Sequence, residues 1–136
     1  MLKVVPFLLP HNATRGAAIS QEQPHEGATY PYPILITMAK TEDGIVRNLT
    51  EVIHKHYEDY KDADPGSIGW EMDRQIFDWV VPYHSGSVAY FQSVGVWTEE
   101  YERHNLSLIQ RQEILAEAWA AYLISEEAIG DNFLKG

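Results

Sequence analysis

The stretch from Val81 to Trp97, Val-Pro-Tyr-His-Ser-Gly-Ser-Val-Ala-Tyr-Phe-Gln-Ser-Val-Gly-Val-Trp, constrains the fold more than any other part of the chain. Pro82 holds Val81 extended and offers no backbone donor. Ser85 and Ser87 carry oxygens suited to accept from the free N–H groups of a helix start. Val88, Phe91 and Val94 follow at helical spacing, and Gly95 stands where a left-handed residue ends a helix. Val96 and Trp97 then fold back as its hydrophobic contact. The pattern predicts a fixed turn, a helix of about three turns, a glycine stop and an aromatic plug.

A chain of 136 residues, 45% of them hydrophobic, has the material for one domain with a core and not for two. Its 20 acidic and 10 basic side chains give a formal net charge of −10, which argues against a phosphate-backbone partner and hence against nucleic acid. With no cysteine there is no disulfide, thiolate metal site or cysteine nucleophile. The run Val4 to Pro10 has the look of a leader, but Pro6 interrupts it and it falls short of the roughly 7–15 apolar residues a secretory core needs. It reads as a short buried strand.

Residues His11 to Tyr30 lack a sustained period and read as a long loop. Within it, Thr14 and Arg15 lie among small residues, a composition suited to a small anionic ligand, with Arg15 as the bidentate clamp on a carboxylate. A solvent-exposed arginine is the alternative. Tyr30 and Tyr32 alternate with Pro31 and Pro33 and lead into Ile34–Met38, a β-branched run expected as a second buried strand. Their hydroxyls are candidates to line a cleft; plain aromatic packing is the other reading. Thr41 is expected to cap an amphipathic helix that ends before Asp64-Pro65-Gly66, and Ser67–Val80 to form a second helix. His54 and His56, two apart on a helix, diverge and do not chelate together. Glu71, Asp73, Asp78 and Arg74 read as a solvated face. Thr98 caps the longest periodic run, whose stripe includes Tyr101, Leu108, Ile109, Leu115, Trp119 and Leu123. The glycosylation-type triplets at Asn12, Asn48 and Asn105 read as accidental. His84 beside Ser85 and Ser87 is expected to satisfy a turn, since no third orienting group or elbow motif accompanies it.

Pro82, His84, Gly86, Tyr90, Phe91 and Gly95 match the signature -PxHPGA-x-Y-(Y/F)-x-x-x-G- near the C-terminus of TAXI-type solute receptors, the extracytoplasmic binding subunits of tripartite ATP-independent periplasmic (TRAP) transporters. Ser85 and Ser87 depart from it, standing where the family carries proline and alanine. The resemblance runs from about Lys3 to Trp97, with a less specific helical continuation to about Ile124, and spans only the last part of a family member. It implies an α/β fold, the C-terminal fragment of a type II periplasmic-binding-protein-like architecture with two short strands and three to four helices. Residues 1–124 would form one partial domain and 125–136 a frayed tail. The implied function is capture of a small carboxylate solute, such as glutamate or a related organic acid, for a TRAP permease in the periplasm. No enzymatic step, cofactor or metal is implied. A chain holding one wall of a cleft is expected to bind solute weakly or not at all and to associate with itself or with a missing lobe. The alternative is a stand-alone helical interaction module that uses the Thr98–Ile124 stripe.

Overall fold

A computed structural model describes residues 5–14 and 16–124, and all structural statements below concern these. The chain is mixed α/β. Strands β1 (Leu9–Ala13) and β2 (His25–Thr29) pair antiparallel, with Leu9 opposite Thr29 and Ala13 opposite His25. Helices α1 (Asp43–Lys55), α2 (Tyr57–Tyr60), α3 (Ser85–Ser93) and α4 (Glu99–Leu123) follow.

β1 takes only Leu9 and Pro10 from the Val4–Pro10 run and continues into the region read as a loop, while β2 lies wholly within that region; both strands are largely exposed. Pro6 and Phe7 form a turn, closed by Leu8 N–H on the Val5 carbonyl at 3.1 Å. Ile34–Met38 is irregular and exposed, with no strand beside it. Apolar, β-branched composition signals a surface that fits a sheet, but a ladder also requires a partner, and residues 9–13 and 25–29 find each other instead. Met1 to Val4, Arg15 and the tail 125–136 lie outside the described residues.

The expected first helix breaks at His56, whose ψ of 14° ends α1 and starts the single turn of α2. Its N-cap is Glu42, without a side-chain bond; Thr41 Oγ1 is instead paired with Thr37 Oγ1 at 2.8 Å. The expected helix over Ser67–Val80 is replaced by two 3₁₀ turns, Ser67–Trp70 and Met72–Arg74, followed by a turn at Phe77 and Asp78 and a bend from Trp79 to Val81. Tertiary contact overrides periodicity here. The Tyr32–Pro33 segment packs so closely on Gly69 that an added Cβ would meet the Tyr32 carbonyl oxygen and come within 2.5 Å of Pro33 Cδ. The Gln75 amide also draws off the Gly69 and Glu71 carbonyls, at 3.3 and 3.0 Å.

The Val81–Trp97 unit folds as its sequence dictates, with one change at its start. The N-cap is His84, not a serine: its Nδ1 accepts from Gly86 N–H at 3.1 Å. At the other end Gly95 adopts φ +78°, Gly95 N–H reaches the Gln92 carbonyl and Val96 N–H the Phe91 carbonyl, both at 3.1 Å. These two bonds are the Schellman pattern. Trp97 is thereby turned back to stack on Phe91, rings 6.3 Å apart at 12°. Phe77 meets Tyr83, Phe91, Trp97 and Tyr101 at 5.0–5.5 Å in tilted or edge-on contacts. This aromatic cluster, with Val88 and Tyr90, is the core.

Thr98 caps α4 through Tyr101 N–H at 3.3 Å, as expected. Its first turns are anchored on the core by Tyr101 and by Asn105, which is buried. From Ile109 to Ile124 every residue except Tyr122 is exposed, so the far half of the apolar stripe projects beyond the body. None of the described helices is long and apolar enough to cross a membrane.

Candidate functional site

Polar chemistry concentrates in the seam between α1 and α3. Gly86 makes the seam: an added Cβ would meet the Asp43 carbonyl oxygen, and would lie 3.0 Å from both Arg47 N and Val46 Cβ. With the backbones this close, the flanking hydroxyls of α3 reach α1. Ser85 Oγ donates to Asp43 Oδ1 at 2.6 Å. Thr50 Oγ1 lies 2.9 Å from both the Val46 carbonyl and Ser87 Oγ. A hydroxyl has one proton, and Thr50 gives its own to Val46, so Ser87 is the donor in the second bond. One turn further along, the Tyr90 hydroxyl and His54 Nδ1 are 2.8 Å apart, with their rings edge-on.

His84 sits at the head of this seam, half-buried, with its side chain 8% exposed. Since Nδ1 accepts from Gly86 N–H, the neutral ring carries its proton on Nε2, which is enclosed and has no partner among the described residues. His84, Ser85 and Asp43 have the composition of a hydrolytic triad without its connections. Ser85 donates directly to the Asp43 carboxylate, which lies 3.7 Å from His84 Nδ1, and that nitrogen is spent on the Gly86 N–H, so the imidazole is not placed as a base on the serine. The ring satisfies a turn, as the sequence reading holds.

One further polar device, the Asn105 side chain, fixes the segment leading into α3 against α4. Asn105 Oδ1 accepts from Tyr83 N–H at 2.7 Å and its Nδ2 donates to the Tyr83 carbonyl at 3.4 Å, so one side chain brackets a residue as a neighbouring strand would. Burial, followed by the charge of Asp78, pushes the Tyr83 hydroxyl up to about 12. The sequence did carry a signal for Asn105: it stands four residues after Tyr101 and three before Leu108, on the buried stripe. Asp43 as the partner of Ser85 had none, since 42 residues separate them.

The expected ligand residues are placed apart from this seam. Thr14 is half-buried just after β1, Tyr30 is exposed just after β2, and Arg15 is outside the described residues. Tyr32 is exposed, with its ring against Gly66: a Cβ there would lie 2.9 Å from Tyr32 Cε1. No hydrogen bond or ring contact joins Thr14, Tyr30 and Tyr32 to one another among the described residues. Shallow depressions occur on α1 near Asn48, Val52 and His56, and between α2 and the second 3₁₀ turn near Tyr57 and Met72. On their rim the Lys55 bond holds the Glu51 carboxyl below its usual range and lifts the ammonium above its own. Both groups face water, and the pair adds little to stability. His54 and His56 do not share a ligand: His56 Nδ1 lies 2.8 Å from Asp59 Oδ2 while His54 faces Tyr90. No group of three or more His, Asp or Glu among the described residues is arranged to hold a metal. Arg74 Nε lies 2.9 Å from Glu71 Oε2 on the exposed face expected for them.

No protein-family model, curated protein or solved structure matches the chain.

Proposed function

We propose that this chain is the C-terminal part of a TAXI-type solute receptor, contributing one wall of a cleft for a small carboxylate solute such as glutamate, with a TRAP permease as its membrane partner in the periplasm. The observation that carries the reading is the Val81–Trp97 unit. Five of the six positions matching the receptor signature have a structural job there. His84 caps α3, Gly86 lets α1 approach, Tyr90 bonds across the seam, Phe91 enters the core and Gly95 turns the chain back. Side-chain oxygens at Ser85 and Ser87, where the family carries proline and alanine, add bonds to α1 without altering the turn.

Support also comes from large apolar side chains that are exposed among the described residues. Ile34–Met38 and the far half of α4 are exposed in a chain whose core is one aromatic cluster. In a two-lobed receptor such faces lie against the other lobe, and solute capture shifts an open–closed equilibrium about the connecting strands. Thr14, Arg15, Tyr30 and Tyr32 are the proposed contacts to the solute, with Arg15 on its carboxylate.

Titration of the isotopically labelled chain with glutamate, followed by amide chemical shifts, tests this. The expected outcome is weak binding, with dissociation constants of about 1 mM or above, and shifts confined to the neighbourhood of Thr14, Tyr30 and Tyr32. Saturation with a micromolar constant would sink the one-wall reading, and unmoved signals at those residues would remove them from the site. The exposed far half of α4 favours a second reading, a helical module that docks a partner helix along Leu115, Trp119 and Leu123. Shifts in α4 alone on adding a partner would support that alternative.

A further inference from the structure

Gly66 caps the first 3₁₀ turn, Ser67–Trp70, and Gly69 lies within it. Residues three apart eclipse on such a turn, so two glycines at this spacing leave a strip of bare backbone on one side, about 6 Å long. That is the length of one extended dipeptide. Tyr32 and Pro33 fill the strip. A Cβ on Gly66 would lie 2.9 Å from Tyr32 Cε1, and one on Gly69 would meet the Tyr32 carbonyl oxygen and lie 2.5 Å from Pro33 Cδ. Neither glycine has a positive φ, so what the missing side chains provide is room for the incoming chain.

What the dipeptide holds is otherwise lightly attached. None of the described residues 5–33 is buried, and the aromatic core takes no side chain from them. Among the described residues a single hydrogen bond joins 5–33 to 43–124, from Trp79 Nε1 to the Phe7 carbonyl at 3.0 Å, and water reaches it. Strands β1 and β2 meanwhile satisfy one another from Leu9–Thr29 to Ala13–His25, so the hairpin can move without breaking its own ladder.

We propose that Tyr32–Pro33 is a strap, seated on the Gly66–Gly69 strip, that holds the hairpin as an arm against the helical body. Unseated, the arm swings as one piece about residues 34–42. Two properties make the seat reversible. Tyr32 is 69% exposed and makes no hydrogen bond among the described residues, so unseating it breaks only van der Waals contact with backbone. The backbone groups of residues 34–37 likewise make no hydrogen bond among the described residues, so the swing breaks none there. The strap does not depend on the solute reading, which concerns what residues of the arm touch and not whether the arm moves.

The chain has no cysteine, so nitroxide labels at Glu26→Cys on β2 and Asn48→Cys on α1, both exposed, report the position of the arm alone. Pulsed electron spin resonance on this labelled chain is expected to give one narrow distance distribution. Gly69→Ala should raise the population outside that distribution at least about tenfold. The double replacement Tyr32→Ala and Pro33→Ala opens the same contact without touching the seat, and should do the same. Amide contacts between β1 and β2 and the amide shifts of α3 should stay in place in both variants, the mark of a moving arm on a folded body. Where Gly69→Ala disturbs the α3 shifts, the strap-side variant alone decides. A broad distribution before any strap or seat replacement, a narrow one in a variant whose α3 shifts are intact, or loss of the β1–β2 contacts when the strap opens would each overturn the proposal.

Discussion

Gly86 and Gly95 sit nine residues apart around one short helix, and each is glycine for a different physical reason. At Gly86 the backbone conformation is ordinary and space is the constraint, because the atoms a Cβ would strike are α1 backbone that cannot swing away. At Gly95 nothing lies within 4 Å of where a Cβ would be, and the constraint is φ +78°. Gly95→Ala should therefore cost about 1 kcal/mol, the left-handed penalty alone, whereas Gly86→Ala should cost about 2–4 kcal/mol by prying α1 from α3. Denaturant titration of both variants checks the order, and equal losses would refute the distinction. Tyr83 supplies a pH test. Its ordinary value is about 10 and burial raises it to about 12, so folding favours the neutral phenol. The associated stability is complete below about pH 10 and is lost as pH climbs from there towards 12, since the unfolded chain ionises first. Roughly two units correspond to about 2–3 kcal/mol. Between pH 8 and 11 the melting temperature of the unmodified chain should fall away from that of Tyr83→Phe; parallel curves would contradict the assignment.

At the scale of elements, α4 is two objects joined end to end. Its first turns are held by the Thr98 cap, by Tyr101 in the aromatic cluster and by Asn105 on Tyr83, while His104 Nε2 lies 2.7 Å from the Trp79 carbonyl. From Ile109 to Ile124 every residue but Tyr122 is exposed, and Trp119 meets Tyr122 with rings 5.6 Å apart. An isolated helix of about a dozen residues is marginal in water, so the far half should open without global unfolding. Hydrogen exchange on a dilute sample should protect amides of residues 112–123 at least about tenfold less than those of α3. Uniform protection to the end of α4 would mean that something covers it. The hairpin of β1 and β2 has a similar standing, since two exposed strands are marginal alone; Trp79 Nε1 bonding the Phe7 carbonyl at 3.0 Å ties its base to the body.

Across the whole molecule, what the residues foretold divides by the range of the forces involved. Local rules predicted α3, its glycine stop, the Thr98 cap and the length of α4, because capping, spacing and left-handed φ act within a few residues. The buried core was legible where aromatic residues cluster in sequence, from Phe77 to Tyr101. The strands were misplaced, and Ser67–Val80 was read as one helix, because pairing and close approach depend on segments far apart in the chain. The candidate solute residues were chosen for their chemistry, and the fold sets Tyr32 on Gly66 instead of beside Tyr30 in a shared contact. By itself, then, the sequence determined the extent of α3 and α4, the turn-and-plug unit and an acidic, cysteine-free composition, since each is written in neighbouring residues. Only the tertiary structure decided which strands pair, which histidine nitrogen is spent on a cap, and which apolar faces stay open, because those depend on contacts whose two sides lie tens of residues apart.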